Sequence, residues 1–127
     1  MDYSQLSDFE INSAVHNAKL KEPYALVFMG DDRIAWTKEN GDQIITEKVP
    51  YTKNGVHDYC NNPEDAWPII ESNGITIIND KNCFPRATND SHAFINEQYD
   101  ECLHALAGNP LRAAMIVFLM MQNAKHA

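Results

Sequence analysis

The chain is short of basic residues, of glycine and of any long apolar run, and each shortage removes a class of function. Ten Lys and Arg against eighteen Asp and Glu leave a formal net charge of -8 over 127 residues. A surface of that sign is poorly suited to displacing counterions from a nucleic-acid backbone, so no direct duplex DNA binding is expected. The five glycines fall in no phosphate-cradling pattern. The longest apolar run, residues 113–121, falls well short of the roughly 20 residues that cross a bilayer, and no membrane partner is expected. Three cysteines, Cys60, Cys83 and Cys102, are an odd number behind an acidic, amphipathic N-terminus, MDYSQLSDFE. Free thiols in a reducing cytoplasm follow.

What remains is ample for a core. Hydrophobic residues make up 44% of the chain, with two Trp, five Tyr and five Phe, enough for one domain over residues 1–127. The acids are unevenly placed. Asp58, Glu64, Asp65, Glu71 and Asp80 lie in a window without Lys or Arg, and Asp90, Glu97, Asp100 and Glu101 lie in another. The plain reading is a solvated face that keeps the chain soluble, and the sharper one is a surface offered to a basic partner.

Local signals give an α+β order. Ser7 and Glu10 form a capping box, Leu6 and Ile11 stand at staple positions, and Ile11, Ala14, Val15 and Ala18 recur at helical spacing, so a first helix is expected over residues 8–19. Strands over 24–29, 34–37 and 43–49, separated by the turn clusters GDD and ENGD, suggest a small antiparallel sheet. Residues 50–61 read as a loop, the best candidate for a mobile segment. A short helix begins at Asn62 with Pro63 in its first turn, is interrupted or kinked at Pro68, and closes at Gly74. Residues 75–78 are a strand and 83–88 a candidate strand. Ile95, Tyr99, Cys102 and Leu106 mark one face of a helix ended by Gly108. Asn109 caps the last helix, Pro110 opens it, and it runs to about residue 124. Its stretch AAMIVFLMM, apolar on every side, predicts a buried helix paired with the one before it. The alternative is a side left open for a partner, a second copy of the chain included.

No nucleophile and base stand together, so no catalytic residue is assigned. Asn61, Asn62, Glu64 and Asp65 gather oxygen ligands, but without calcium-loop spacing they read as a helix cap rather than a cation site. His57, Cys60, Cys102 and His104 would satisfy zinc by number but not by spacing, and neither metal nor cofactor is expected. Trp67 reads as a core anchor, or with Tyr59 and the Asn pair as the wall of a pocket. Arg112 sits in a first helical turn, where the macrodipole disfavours a cation. An ion pair with Asp100 or Glu101 would compensate it; the alternative is an anion site shared with Arg86. Candidate binding residues are therefore Tyr59, Asn61, Asn62, Glu64, Asp65, Trp67, Arg86 and Arg112.

Three segments, LSDFEIN at residues 6–12, YCNNPEDAWPII at 59–70 and NPLRAAMIVFLMMQ at 109–122, together resemble the NinX-type family encoded in the early region of lambdoid and P22-like phages. The resemblance implies a phage accessory protein acting in the bacterial host cytoplasm, and it brings no catalytic or ligand residue with it. The expected function is protein-protein binding that modulates or inhibits a host or phage complex. A small-ligand or nucleotide binder, or an enzyme with a pocket near Tyr59, Trp67 and Arg112, is the alternative, and an acidic mimic of nucleic acid is a third.

Overall fold

The computed structural model describes residues 2–18, 25–28, 33–37, 43–47 and 58–125. Its elements are α1 (Asp8–Ala18), β1 (Ala25–Phe28), β2 (Arg33–Thr37), β3 (Gln43–Glu47), α2 (Pro63–Asn73), β4 (Thr76–Ile78), β5 (Arg86–Thr88), α3 (Ser91–Ile95), β6 (His104–Leu106) and α4 (Pro110–Lys125), with 3-10 turns at Tyr3–Gln5 and Tyr99–Glu101. The fold is α+β, as expected. Strands β1, β2 and β3 form an antiparallel meander, and β4, β5 and β6 form a second three-stranded antiparallel sheet. The proposed mobile loop lies largely outside the described residues; only 58–61 belong to them, as a turn closed by the amides of Asn61 and Asn62 on the Asp58 carbonyl.

Helix α4 is the centre of the described core. Residues from Ala113 to Leu119 are all buried, so every side of the helix is covered. Helices α1 and α2 pack on it, and so do β4, β5 and β6. From α1 come Phe9, Ile11 and Val15, and from α2 come Ala66, Ile69 and Ile70. Burial of each large side chain contributes about 1.5–3 kcal/mol, which is why an all-apolar stretch takes the central place.

The caps follow their local chemistry. The Ser7 amide donates to Glu10 Oε1 at 3.1 Å and the Glu10 amide to Ser7 Oγ at 3.1 Å, a closed capping box. Asn62 accepts from the Glu64 amide at 3.1 Å, and Asn109 from the Arg112 amide at 2.7 Å. Gly74 ends α2 in the left-handed region at φ 64°, with the Ile75 amide reaching back to the Ile70 carbonyl.

One expectation is narrowed and another corrected. Of the two alternatives at Pro68, a break and a kink, the break is excluded: α2 is one continuous helix over Pro63–Asn73. The proline removes the hydrogen bond to the Glu64 carbonyl, but Glu64 and Pro68 are both exposed, and the buried residues Ala66, Ile69 and Ile70 hold the helix on either side. The helix expected through Ile95, Tyr99, Cys102 and Leu106 does not form. Helix α3 stops at Ile95 in the same kind of cap that ends α2, with Glu97 at φ 60° and the Gln98 amide on the Ala93 carbonyl. The chain then makes a 3-10 turn and enters β6. Ile95, Tyr99 and Leu106 are exposed and Cys102 is half-buried, so the apparent stripe faces no common core. The strand wins because Ala105 pairs with the buried Ala87 and packs on the core cluster, while its neighbours His104 and Leu106 turn outward.

Candidate functional site

The three segments that stand out in the sequence meet in one polar network. Asn12, fully buried on α1, donates its side-chain amide to Asp58 at 2.9 Å and accepts from the Cys60 amide at 3.0 Å. Asn61 donates to Asp8 at 3.2 Å and to Asp58 at 3.1 Å, and accepts from Asn109 at 3.3 Å. Asp65 accepts from the Asp58 amide and from the Asn62 side chain, each at 3.1 Å. The starts of α1, α2 and α4 thus converge on the turn at residues 58–61. At those starts free amides and positive dipole ends suit Asp, Asn and Glu side chains, which explains the clustering without a ligand.

Arg112 belongs to this network, and its partner corrects the expectation. Neither Asp100 nor Glu101 holds it. Its Nη1 donates to Asp8 Oδ1 at 2.8 Å, and its Nη2 donates to the carbonyls of Leu6 at 2.6 Å and Ser4 at 3.3 Å. The guanidinium therefore fastens the N-terminal segment to the start of α4, and the acid that compensates it comes from α1.

Tyr59 and Cys60 lie beneath the network, 1% and 0% exposed. Burial first, and the charge of Asp65 second, push the Tyr59 hydroxyl up to about 12. Burial, with the nearby Asp8 and Asp58 carboxylates, pushes the Cys60 thiol well above the ordinary thiol range, against a smaller opposing effect of Arg112. Neither group is set up as a nucleophile. Tyr59 is a core residue here rather than the wall of an open pocket.

Trp67 departs from the core-anchor reading. It is 55% exposed, and its Nε1 donates to Glu71 at 2.9 Å. With Glu64 and Pro68 it forms the outer face of α2, because Ala66, Ile69 and Ile70 take the inner face. Glu64 and Trp67 are thus together but turned away from the buried network.

Arg86 lies elsewhere, on β5. The register pairs Arg86 with Leu106 and Thr88 with His104, which places these four on the sheet face opposite Ala87 and Ala105. The Arg86 guanidinium stands over the Phe94 ring at 5.7 Å and donates to Asp80 at 3.3 Å, while its buried Nε has no hydrogen-bond partner among the described residues. Phe94, Tyr99 and His104 form a triangle of rings with centroids 5.3 to 5.6 Å apart. A pocket of about 250 Å³ opens there, lined by Arg86, Phe94, Tyr99, His104, Ala105 and Leu106. Phe84, in the segment that leads into β5, is exposed as well. Arg86 stands out in the sequence, but the residues around it do not. The available signal was the alternation in HAL between residues 104 and 106, masked by helical spacing.

The four residues that match zinc by number alone are placed apart where they are described: Cys60 is in the core, Cys102 and His104 flank or belong to β6, and His57 lies outside the described residues. No group of three or more His, Cys, Asp or Glu among the described residues is placed to hold a metal ion. No helix among them is long and apolar enough to cross a membrane.

Comparison with known proteins adds a family. A family model described as Bacteriophage P22, NinX matches residues 2–122. No curated protein and no solved structure matches the chain.

Proposed function

Because the chain belongs to the bacteriophage P22 NinX family, we propose that it serves as a phage-encoded accessory protein that works in the bacterial cytoplasm by binding a host or phage protein. The observation that carries this reading is the outer face of the second sheet. There Tyr99 and Leu106, which line the Arg86 pocket, are 47% and 55% exposed. Large apolar side chains left in water, with the exposed acids Asp80 beside Arg86 and Asp100 and Glu101 in the turn of Tyr99, support a contact surface. The pocket volume supports a protein rather than a nucleotide. At about 250 Å³ it is smaller than the roughly 300–1,000 Å³ sites that hold drug-sized ligands and cofactors, and it suits one large side chain.

A second surface is favoured by one observation, the exposed indole of Trp67 between Glu64 and Glu71 on α2. Affinity capture from phage-infected host cells separates the two. A partner lost with Tyr99→Ala and Leu106→Asp but retained with Glu64→Ala and Trp67→Ala supports the sheet face, and the reverse pattern moves the site to α2. A partner held equally by all four variants overturns both. The same protein is expected to show no appreciable duplex DNA binding at physiological salt, and a salt-sensitive, submicromolar titration refutes that expectation.

A further inference from the structure

Among the described residues, the edge of the second sheet is open on the side of β6. Strand order is β4-β5-β6, so β6 pairs with β5 alone. The Ala107 amide donates to the Pro85 carbonyl and the Asn89 amide to the Leu103 carbonyl. By the alternation of an antiparallel ladder, the backbone groups of Ala105 then face β5 while those of His104 and Leu106 face away from it. No backbone hydrogen bond from another described residue reaches that outward row.

Two hollows share this edge. The Arg86 pocket lies on the outer face of the sheet. A second hollow, of about 180 Å³, is lined by Asp2, Ser4, His104, Leu106, Ile116 and Met120, among others, and so lies toward α4. Its far wall is the N-terminal 3-10 turn, whose Ser4 carbonyl is held by Arg112. A strand laid beside β6 sends successive side chains to opposite faces, one into each hollow.

We propose that the open edge of β6 takes up an extended segment of a basic partner protein, which adds a fourth strand and places an aromatic side chain in the Arg86 pocket and a neighbouring Lys or Arg beside Asp2. The proposal rests on the protein-binding reading of this face. Charge decides the partner. The chain carries -8 overall, and Asp2, Asp100 and Glu101 are exposed near the edge, which disfavours a second acidic copy and favours a basic segment. Hydrogen bonds from Ser4 hold the Asp2 carboxyl below its ordinary value, so it stays ionised for a cation. The apolar floor of Ile116 and Met120 accommodates the aliphatic stem of Lys or Arg. Rings at Phe94, Tyr99 and His104 offer faces and edges to a fourth ring. In this mode main-chain hydrogen bonds give affinity and alternating hollows give specificity.

The test uses peptides selected from a randomised heptapeptide library on the purified protein. Selected peptides are expected to carry an aromatic residue next to Lys or Arg and to slow amide exchange at His104 and Leu106. Leu106→Ala and Leu106→Pro both trim the side chain, but only proline removes the outward N-H. Proline is tolerated at such an edge position. The proline variant should bind the selected peptide about five- to tenfold more weakly than the alanine variant, the effect of one lost backbone hydrogen bond. Equal affinities of the two variants, peptides bound without protection at His104 and Leu106, or a library that yields no such peptide overturns strand addition. If Leu106→Pro fails to fold, the exchange measurement on the unaltered protein decides alone. None of these outcomes touches the broader reading, which stands or falls on capture of a whole partner by the Tyr99 and Leu106 variants.

Discussion

Arg112→Met keeps an unbranched stem and removes the guanidinium, which isolates the worth of the clamp between the N-terminal segment and α4. Two of its hydrogen bonds are short, 2.8 Å to Asp8 and 2.6 Å to the Leu6 carbonyl, and the third, to Ser4, is 3.3 Å. Bonds to a charged group contribute about 1.5–3 kcal/mol each, so the two short ones set a ceiling near 3–6 kcal/mol. Solvent lowers it. The Arg112 side chain is 15% exposed but that of Asp8 is 36%, so water can reach the carboxylate once the cation is gone, and an exposed pair contributes far less than a buried one. The expected loss is about 2–3 kcal/mol, measured by urea unfolding. Arg112→Lys should recover less than half of it, since one ammonium cannot match a planar fork that serves three acceptors. A double-mutant cycle with Asp8→Asn should leave a coupling of about 1 kcal/mol. A loss below about 0.5 kcal/mol for Arg112→Met would mean that the N-terminal segment is held by packing alone, and the clamp argument would be wrong.

Three further outcomes are expected. Phe118, 5% exposed on the central helix, should lose about 3–5 kcal/mol on replacement by alanine, read from the same unfolding curves; a loss under 1 kcal/mol would place the ring in solvent or against a partner. Pro68→Ala should stabilise the chain by about 1–2 kcal/mol, because it restores the hydrogen bond to the Glu64 carbonyl inside α2, less what the stiffer unfolded chain with proline gained; no gain in midpoint refutes this. The third concerns alkaline pH. Tyr59 and Cys60 have folded values raised above the ordinary 10.0 and 9.0, so the unfolded chain releases these protons first. The contribution of Cys60 is lost as pH rises above about 9 and that of Tyr59 above about 10, each at about 1.4 kcal/mol per pH unit until the folded protein releases the same proton. Cys60→Ala should flatten the decline between pH 9 and 10, and a decline unchanged in that variant would refute the assignment. In the folded protein a thiol reagent should modify the exposed Cys83 and spare Cys60.

Signals that act over three or four residues were legible in advance. The Ser7–Glu10 box, the caps at Asn62 and Asn109 and the left-handed Gly74 all sit where residue chemistry places them, because each cap satisfies its own orphan amides or carbonyls. The buried α4 was legible too, since a run apolar on every side has few other places to go. Choices that depend on distant neighbours were not. Glu97 fills the left-handed position that glycine fills at residue 74, so the end of α3 carried no glycine to announce it. The period through Ile95, Tyr99, Cys102 and Leu106 came from three different elements. Arg112 showed its need for an acid, but an acid 104 positions away answered it. Trp67 looked like a core residue by type, and only the placement of Ala66, Ile69 and Ile70 shows which side of α2 is inward. Of the candidate residues, Tyr59, Asn61, Asn62, Asp65 and Arg112 proved to be neighbours, whereas Arg86 has a different one, the ring triangle, whose members lie on α3, a 3-10 turn and β6.

The central position of α4 also bears on how the chain acquires its structure. Helices α1 and α2 and the strands β4, β5 and β6 all take α4 as a common partner, and α4 is the last of the described elements in the chain. None of them can bury its apolar side until that helix has docked, so the early part of the chain gains little by ordering before the late part arrives. Contacts such as those of α1 with α4 join distant parts of the chain, so folding is expected to be slower than that of a bundle of local contacts. Once α4 has docked, the pieces commit together. Unfolding of this part should be correspondingly all-or-none, with the slowest-exchanging amides of α1, α2 and α4 reporting one shared opening free energy rather than a graded series.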